Sequence, residues 1–269
     1  MVCGGGLSFT SNQMGCIPLN GPNFLRRLGR HLIWGSPTLY RPVGIARRRG
    51  DCRDVNYDLW IDGFPRSANT FAVKSLVAAN PTLKIRSHHH IPAFVIQSLR
   101  DGKPGMLMLR KPEDAVISWA IFWQERVDRC LDYYVDFHRG LERVISRIFI
   151  AEFHEVTTTF DAVIERFNTR FGTGVVPVVH NAQTAADCFA EMDRNQVEWR
   201  GFVDEMRVPR PSPQRASVKL EVRRQLRETP SLARKLLQAN DIYAAFLSVH
   251  PRASKVVSAA ATQQLPTCS

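Results

Sequence analysis

The segment GFPRSANT at residues 63–70 combines groups that bind oxyanions with the position of a phosphate-binding loop. It joins a short apolar run to a segment with helical spacing of apolar residues, so it connects a strand to a helix. Gly63 and Thr70 match the template G-x-x-x-x-G-K-S/T. Ala68 replaces its second glycine and Asn69 replaces its lysine, which disfavours transfer of a γ-phosphoryl group. Backbone N–H groups at the helix N-terminus can still bind an oxyanion. A plain turn capped by Asn69 or Thr70 is the alternative.

A run of three histidines in SHHHIP, residues 87–92, supplies candidate bases. A neutral imidazole can take a proton from a hydroxyl group at pH 7. His88 and His90 would lie on one face of an extended segment, so the pair could instead bind a metal ion. That metal would need a third ligand, which no spaced His or Asp in the sequence indicates. A polar loop without a chemical role is the third interpretation.

A polar segment after the third predicted strand, RKPEDAVIS at residues 110–118, could hold a phosphate. Arg110 would stand at the end of the strand and Ser118 on the following helix, where both can reach one phosphate group. Asp114 suits the first turn of that helix, where the helix dipole stabilises an acidic side chain.

The segment RPSPQRASVK at residues 210–219 could add polar groups and cations to the same site. The candidates are Arg210, Ser212, Arg215 and Lys219. A Pro-rich turn followed by a solvated helix is the alternative. Aromatic residues within 119–137 could line an acceptor pocket, although helical spacing of aromatic residues more often marks a core.

Alternating apolar runs and helical periodicities predict the elements that position these groups. The predicted strands cover 58–63, 83–87, 105–110 and 147–153. The predicted helices cover 69–79, 93–99, 112–125, 128–145, 159–170, 184–206, 215–228 and 231–249. This alternation indicates an α/β protein with three α/β/α layers, a mostly parallel sheet and a helical C-terminal third.

Composition indicates a globular protein with a strongly basic N-terminal part. Of 269 residues, 44% are apolar and 23% charged, which excludes wholesale disorder. Residues 1–50 hold seven arginines and no Lys, Asp or Glu, so they supply +7 of the formal charge of +11. We predict a basic, partly disordered extension over 1–53, a main domain over 54–251 and a flexible tail over 252–269. A basic amphipathic helix within 21–53 could lie on a membrane surface or pack on the main domain.

Cysteine spacing and hydropathy bear on the cellular compartment. The six cysteines include no C-x-x-C pair, which argues against a zinc ribbon or a thioredoxin-like site and indicates free thiols. No run reaches the roughly 18 apolar residues of a membrane span. The first 20 residues lack the basic start and apolar run of a secretory signal. We therefore expect a cytoplasmic protein, with peripheral membrane contact through residues 21–53 as one option and a transit peptide as another.

The segment DGFPRSANTF, residues 62–71, resembles the 5′-phosphosulfate loop of the sulfotransferases that use 3′-phosphoadenosine 5′-phosphosulfate (PAPS), usually Pro-Lys-Ser-Gly-Thr-Thr-Trp. Pro65, Ser67 and Thr70 match that loop directly. Arg66, Ala68, Asn69 and Phe71 stand at the positions of its Lys, Gly, first Thr and Trp. An alanine at the glycine position implies a loop that does not rely on a positive φ at that point.

Two further segments resemble the same family. RKPEDAVIS is similar to its 3′-phosphate segment, Arg-Asn-Pro-Lys-Asp-Val-Ala-Val-Ser, with Arg110 and Ser118 in register. SHHHIP resembles the segment that carries the family's catalytic base, and counting back from its proline places His90 at that position. His88 or His89 would take the role if the register shifts. The family's Arg-Lys-Gly triplet is not recognisable in this chain.

The resemblance, which spans roughly residues 57–250, implies a fold like that of the P-loop nucleoside-triphosphate hydrolases and a sulfotransferase activity. PAPS would pass its sulfuryl group by in-line transfer to a hydroxyl or amine of a small molecule, glycan or lipid, and no metal would be required. His90 would act as the base, while Arg66 would stabilise charge on the transferring group. The implied nucleotide-binding residues are Pro65, Arg66, Ser67, Ala68, Asn69, Thr70, Phe71, Arg110, Ser118 and Arg215.

Two other classes of function compete with this one. The departures at positions 66 and 68 are compatible with a non-catalytic nucleotide- or anion-binding protein of the same fold. The basic N-terminal part is compatible with a membrane-surface or nucleic-acid-binding protein, whose binding would weaken steeply with salt. We expect no nucleic-acid partner, because the N-terminal arginines are interleaved with few stacking aromatics beyond Trp34 and Tyr40.

Overall fold

The computed structural model describes Ser36, Thr38 and residues 56–179 and 181–249. Nearly all of the predicted N-terminal extension, including its basic amphipathic helix, lies outside these residues, as does the predicted tail at 252–269. The boundaries of the three predicted regions therefore stay predictions.

Four short strands form the centre of the fold. They are β1 (Leu59–Gly63), β2 (Ile85–Ser87), β3 (Gly105–Leu109) and β4 (Phe149–Glu152). The strand order is β2-β1-β3-β4, and each neighbouring pair runs parallel. Every residue of β1 and β3 is buried, as expected for central strands with both faces covered.

Helices account for most of the remaining described chain. They are α1 (Asn69–Ala79), α2 (Pro92–Arg100), α3 (Pro112–Trp123), α4 (Val127–Arg139), α5 (Phe153–Thr158), α6 (Phe160–Phe171), α7 (Ala182–Arg200), α8 (Ala216–Glu228) and α9 (Pro230–Ser248). Two short 3₁₀-helices span Glu142–Arg147 and Pro213–Arg215. Among the described helices, none is both long enough and apolar enough to cross a bilayer.

Two separate apolar cores cover the two faces of the sheet. Successive side chains of β1 point to opposite faces, so Trp60 enters one core and Ile61 the other. The Trp60 core includes residues of α2, α3, α4, α8 and α9. The Ile61 core includes residues of α1, α5, α6 and α7. Helices on both faces of a parallel sheet confirm the predicted three-layer α/β/α fold and its helical C-terminal third.

The strand order creates a crevice at the carboxyl ends of β1 and β3. The chain passes from β1 to β2 on one side and then crosses to β3 on the other side. Gly63, the last residue of β1, lies beside Met108 of β3. Ligands of open parallel sheets bind where connections diverge in this way. The predicted loop follows β1 and Arg110 follows β3, so the topology brings both to this crevice.

The predicted elements differ from the observed ones mainly at their ends. The apolar run predicted as a strand over 147–153 yields β4 only up to Glu152, whose side chain accepts a hydrogen bond from the His154 N–H and caps α5. Helix α7 ends at Arg200 instead of residue 206, because Gly201 adopts a left-handed conformation (φ 82°) that terminates the helix.

Candidate active site

A tight contact between β1 and β3 fixes the start of the loop. A Cβ atom on Gly63 would lie 2.3 Å from the carbonyl oxygen of Met108, so a larger residue cannot occupy this position without moving the strands. After Gly63 the chain turns within five residues and enters α1 at Asn69. The predicted loop thus lies at the crevice, between the end of a buried strand and the N-terminus of a helix.

The loop contains two non-glycine residues in the left-handed region. Arg66 has φ 69° and Ala68 has φ 71°. The expectation that Ala68 would avoid a positive φ is therefore wrong. For an L-residue this conformation costs about 1–2 kcal/mol. The loop keeps the backbone shape that a glycine would favour, and the surrounding structure must hold it there.

The N-terminus of α1 has no side-chain cap. Its N-cap residue is Ala68, and no side chain accepts a hydrogen bond at that position. The alternative of a turn capped by Asn69 or Thr70 is therefore wrong for this helix. Uncapped N–H groups and the positive end of the helix dipole face the crevice, which is the arrangement that binds an anion.

Two buried polar atoms of the loop have no protein partner. Ser67 is fully buried and Asn69 is 3% exposed. Asn69 Nδ2 donates to the carbonyl oxygen of Phe64 at 3.3 Å. Asn69 Oδ1 and Ser67 Oγ have no hydrogen-bond partner among the described residues. Buried polar atoms are nearly always paired, so these two are candidates for contact with a ligand or an ordered water.

Arg66 reaches from the loop to two other segments. Its Nε donates to Ser118 Oγ of α3 at 3.0 Å, and its Nη2 donates to the carbonyl oxygen of Val208 at 2.9 Å. The guanidinium also lies over the ring of Phe122, 4.7 Å from its centroid. Arg66 thereby joins the β1 loop, α3 and the segment that precedes α8.

Arg110 closes the other side of the loop. Its Nη1 donates to the Arg66 carbonyl oxygen at 2.7 Å, and its guanidinium lies 4.0 Å from the ring centroid of Phe153. The Arg110 carbonyl accepts a hydrogen bond from the Tyr134 hydroxyl at 2.8 Å. Ser118 and Arg110 therefore both contact Arg66, which brings the two predicted phosphate segments together.

The C-terminal segment contributes Arg215 but not Arg210. Arg215 is 2% exposed and donates through Nη1 to the Val208 carbonyl oxygen at 3.1 Å, the same acceptor that Arg66 uses. Arg210 is instead paired with Asp193 at 2.8 Å and with Glu205 at 2.6 Å. Its charge is therefore already neutralised within the protein.

The three guanidinium groups of Arg66, Arg110 and Arg215 form no ion pair with a carboxylate of the described residues. Burial, together with the charges of Arg215 and Arg110, lowers the pKa of Arg66 to about 9. Burial also lowers the pKa of Arg110 and of Arg215. The pKa of Lys219 is lowered by burial and by the charges of Arg215 and Arg110. The charges of Asp114 and Glu152 partly offset the lowering for Arg110, and that of Glu205 does so for Arg215. The cations repel one another, and a bound anion would relieve that repulsion.

The three histidines have different environments. Both ring nitrogens of His88 are engaged, Nε2 with Thr70 Oγ1 at 3.0 Å and Nδ1 with Ser87 Oγ at 2.7 Å. The His89 ring stacks on Phe94 with centroids 4.0 Å apart. His90 Nδ1 lies 2.7 Å from the Gly63 carbonyl oxygen, while its Nε2 forms no hydrogen bond with a described residue.

His90 is also attached to β1 through Asp62. Both carboxylate oxygens of Asp62, which is fully buried, accept from the His90 backbone N–H at 3.1 Å. Asp62 Oδ1 lies 3.3 Å from His90 Nδ1. Burial lowers the pKa of His90, but the hydrogen bond and charge of Asp62 and the Gly63 carbonyl outweigh it, so the net shift is upward.

The remaining predicted site residues occupy the same region with different surroundings. Pro65 is partly exposed in the loop, and Thr70 contacts His88 as described. Phe71 is buried in the Ile61 core, and its ring centroid lies 6.2 Å from that of Phe189. Within the described part of the chain, no three His, Cys, Asp or Glu side chains cluster as metal ligands would.

Sequence reasoning missed two groups that shape the site. Asp62 was detectable in principle, because a charged residue inside the apolar run LWIDGF must find partners when the strand is buried. The Val208 carbonyl, which accepts from Arg66 and Arg215, carried no signal in the sequence, since any residue type supplies a carbonyl.

Comparisons with known proteins give one limited similarity. No protein family matches the chain, and no curated protein matches its sequence. Among solved structures it is similar to mouse sulfotransferase SULT7A1, whose structure is a complex with PAP. The two chains share 13% identity with a TM-score of 0.38, and the match covers 70% of this chain and 91% of the other. A TM-score of this size supports no transfer of function.

Proposed function

We propose that this chain is a sulfotransferase that moves a sulfuryl group from PAPS to a hydroxyl or amine acceptor. The observation that carries the proposal is a group of three arginines, the partly buried Arg66 and Arg110 and the buried Arg215, which form no ion pair with a described carboxylate and lie around an uncapped helix N-terminus. An anion with more than one phosphate-like group would satisfy this arrangement. Three separate sequence segments resemble PAPS-binding and base-carrying segments of sulfotransferases, which supports PAPS as that anion.

The crevice offers separate groups for the 5′-phosphosulfate and for the 3′-phosphate of PAPS. The loop, with the N–H groups that open α1 and the unpartnered Ser67 Oγ, would hold the 5′-phosphosulfate. Arg110, Ser118 and Arg215 would hold the 3′-phosphate. Arg110 has an unpartnered Nε, and the present partners of Arg215 are neutral carbonyl oxygens, so both can turn toward a charged ligand.

The chemistry requires a base close to the acceptor and positively charged groups close to the leaving group. His90 Nε2 would take the acceptor proton while the acceptor oxygen or nitrogen forms a bond to sulfur. The bond between sulfur and the bridging oxygen breaks, and its electron pair stays on the 5′-phosphate. Arg66 and the N-terminus of α1 would stabilise that developing charge.

His90 suits the base better than its two neighbours. Both nitrogens of His88 already have hydroxyl partners, and the ring of His89 is stacked on Phe94. Of these three histidines, only His90 combines an engaged Nδ1 with an Nε2 that forms no hydrogen bond with a described residue. A side chain 26% exposed is also accessible to that acceptor.

We also propose a cytoplasmic location for this activity. Cys130 and Cys188 are buried free thiols, which a reducing compartment would preserve. Fractionation of cells that express the tagged full chain would test this, and recovery in an oxidising compartment would contradict it.

Titration calorimetry with 3′-phosphoadenosine 5′-phosphate tests the donor site directly. We expect micromolar binding by the full chain, much weaker binding of ADP, and a loss of about tenfold to hundredfold in Arg110→Ala, since hydrogen bonds to charged groups contribute about 1.5–3 kcal/mol. Arg126→Ala is the matched control, because Arg126 is an exposed partner of Asp128 and should leave affinity unchanged. Equal binding of ADP, or no effect of Arg110→Ala, would contradict the proposal.

A transfer assay separates the enzyme from a non-catalytic binding protein of the same fold. PAPS labelled in its sulfuryl group, offered with panels of alcohols, amines, glycans and lipids, should give labelled product that His90→Ala abolishes. Tight nucleotide binding without consumption of PAPS would favour the non-catalytic alternative. Transfer that persists in His90→Ala would exclude His90 as the base.

A further inference from the structure

We infer that Asp62 is a positioning residue for His90: it fixes the ring and its backbone and stabilises the imidazolium that forms when Nε2 takes a proton. This inference rests on the proposed function for its catalytic meaning, but its geometry stands by itself. It assigns a role to a residue to which the sequence resemblance gave none.

The carboxylate of Asp62 contacts His90 and the adjacent residue of its own strand, Gly63. The carboxylate accepts from the His90 backbone N–H through both oxygens at 3.1 Å and from the Gly63 N–H at 2.8 Å. His90 has φ 54°, a left-handed conformation that is uncommon for residues other than glycine. Asp62 supports that conformation, because it holds the N–H of the same residue.

The hydrogen bond of Nδ1 determines where the ring proton lies. The Gly63 carbonyl oxygen, 2.7 Å from Nδ1, can only accept, so Nδ1 carries the proton in the neutral ring. The lone pair is then on Nε2, which is the form that a general base requires. Asp62 Oδ1 lies 3.3 Å from the same Nδ1 and favours the proton on that side of the ring.

The charge of Asp62 acts on His90, with which it is in contact, and also on His88, where it opposes the effect of burial. Asp62 is fully buried, and its one ion-pair contact among the described residues is with His90. A buried carboxylate without a cation is costly, so the pair gains when the imidazole becomes an imidazolium. The other titratable groups nearby are His88, whose ring centroid is 5.8 Å away, and Lys74 of α1, which acts on His88.

Nitrogen-15 NMR of the histidine rings in the full chain tests this inference without an acceptor. The chain has eight histidines, and His90→Gln identifies the signal of interest. In the wild type we expect the Nδ1–H tautomer and a midpoint above that of an ordinary histidine. Asp62→Asn should move the midpoint to lower pH and mix the two tautomers. Asp161→Asn, an exposed aspartate in the first turn of α6, is the matched control and should change neither.

Kinetic and binding readouts separate positioning from a general structural role. Asp62→Asn should lower the transfer rate about tenfold or more, as expected for an impaired general base, while binding of 3′-phosphoadenosine 5′-phosphate stays within about twofold. An unchanged His90 midpoint and tautomer in folded Asp62→Asn would overturn the inference. If that variant does not fold, the wild-type spectrum decides, since an Nε2–H tautomer would overturn it. If the wild type does not bind 3′-phosphoadenosine 5′-phosphate, the proposed function is wrong. The NMR result on Asp62 and His90 would still hold, because it does not depend on the nucleotide.

Discussion

His138 lies in the core beneath the loop and should make the protein sensitive to mild acid. It is fully buried, its Nδ1 lies 2.8 Å from the Tyr134 carbonyl oxygen, and its Nε2 has no partner among the described residues. Aromatic rings of Phe64, Tyr134, Phe137 and Phe246 surround it. A proton on this ring would be a buried charge without a counter-ion, and burial lowers the pKa of His138 to about 4.

The size of the effect follows from the difference between folded and unfolded states. An unfolded histidine has a pKa of about 6.5, so a folded value near 4 corresponds to roughly 3 kcal/mol. The folded pKa is the lower one, so this part of the stability is fully present above about pH 6.5 and is lost as the pH falls toward 4. His90 acts in the opposite direction. Its raised pKa adds stability below about pH 6.5 that is lost as the pH rises through its folded pKa.

Comparison of variants isolates the contribution of His138 from that of His90. Denaturant unfolding followed by circular dichroism from about pH 7 to about pH 4 gives the free energy of unfolding of the wild type and of His138→Leu. Leucine fills most of the site and binds no proton, so we expect a decline that is smaller by up to roughly 3 kcal/mol. His154→Leu is the matched control, because His154 is exposed and should leave the decline unchanged.

The refuting result is equally specific. If the free energy of unfolding falls as steeply with acid in His138→Leu as in the wild type, His138 is not a buried neutral histidine. The assignment would also be refuted if His154→Leu reduced the acid-dependent loss of stability as much as His138→Leu does. The effect also bears on the site, because Tyr134, which packs against His138, donates to the carbonyl of Arg110.

Three further predictions follow from single features of the site and the core. Ala68→Gly should raise the free energy of unfolding by up to about 1 kcal/mol, because it removes the strain of a left-handed alanine. Ala72→Gly in the buried interior of α1 should instead lower it by at least about 1 kcal/mol, and equal effects of the two variants in denaturant unfolding would contradict the loop geometry. Arg215→Ala should weaken binding of 3′-phosphoadenosine 5′-phosphate about tenfold or more, while Arg210→Ala, which removes a neutralised side chain, should change it less than about twofold; calorimetry that shows the reverse order would remove Arg215 from the site. Burial, together with the charges of Glu125 and Asp128, raises the pKa of the Cys130 thiol to about 12. Mass spectrometry should therefore find Cys130 unmodified by iodoacetamide near neutral pH in the folded protein and modified after unfolding, and rapid labelling of the folded protein would refute this.

The sequence by itself determined the order of the elements and the place of the phosphate loop. Short runs of largely apolar residues predicted all four strands, and helical spacing predicted α1 with its observed bounds, Asn69–Ala79. These features depend on local periodicity and on burial of one face, which a sequence records directly. Segment ends were less accurate, because a cap such as Glu152 or Gly201 acts through the geometry of the neighbouring backbone.

Only the tertiary structure decided how the site is put together. The left-handed backbone of Ala68 is imposed by the strand and helix on either side and opposes the preference of alanine itself. Arg210 and Arg215 differ because Asp193 and Glu205 neutralise the charge of Arg210. Only folding brings Asp193 of α7 within ion-pair distance of Arg210. In the same way, His90 differs from its neighbouring histidines because Asp62 of β1 lies beside it after folding. A buried charge has one low-energy set of partners, and only the packed chain brings those partners within hydrogen-bond distance.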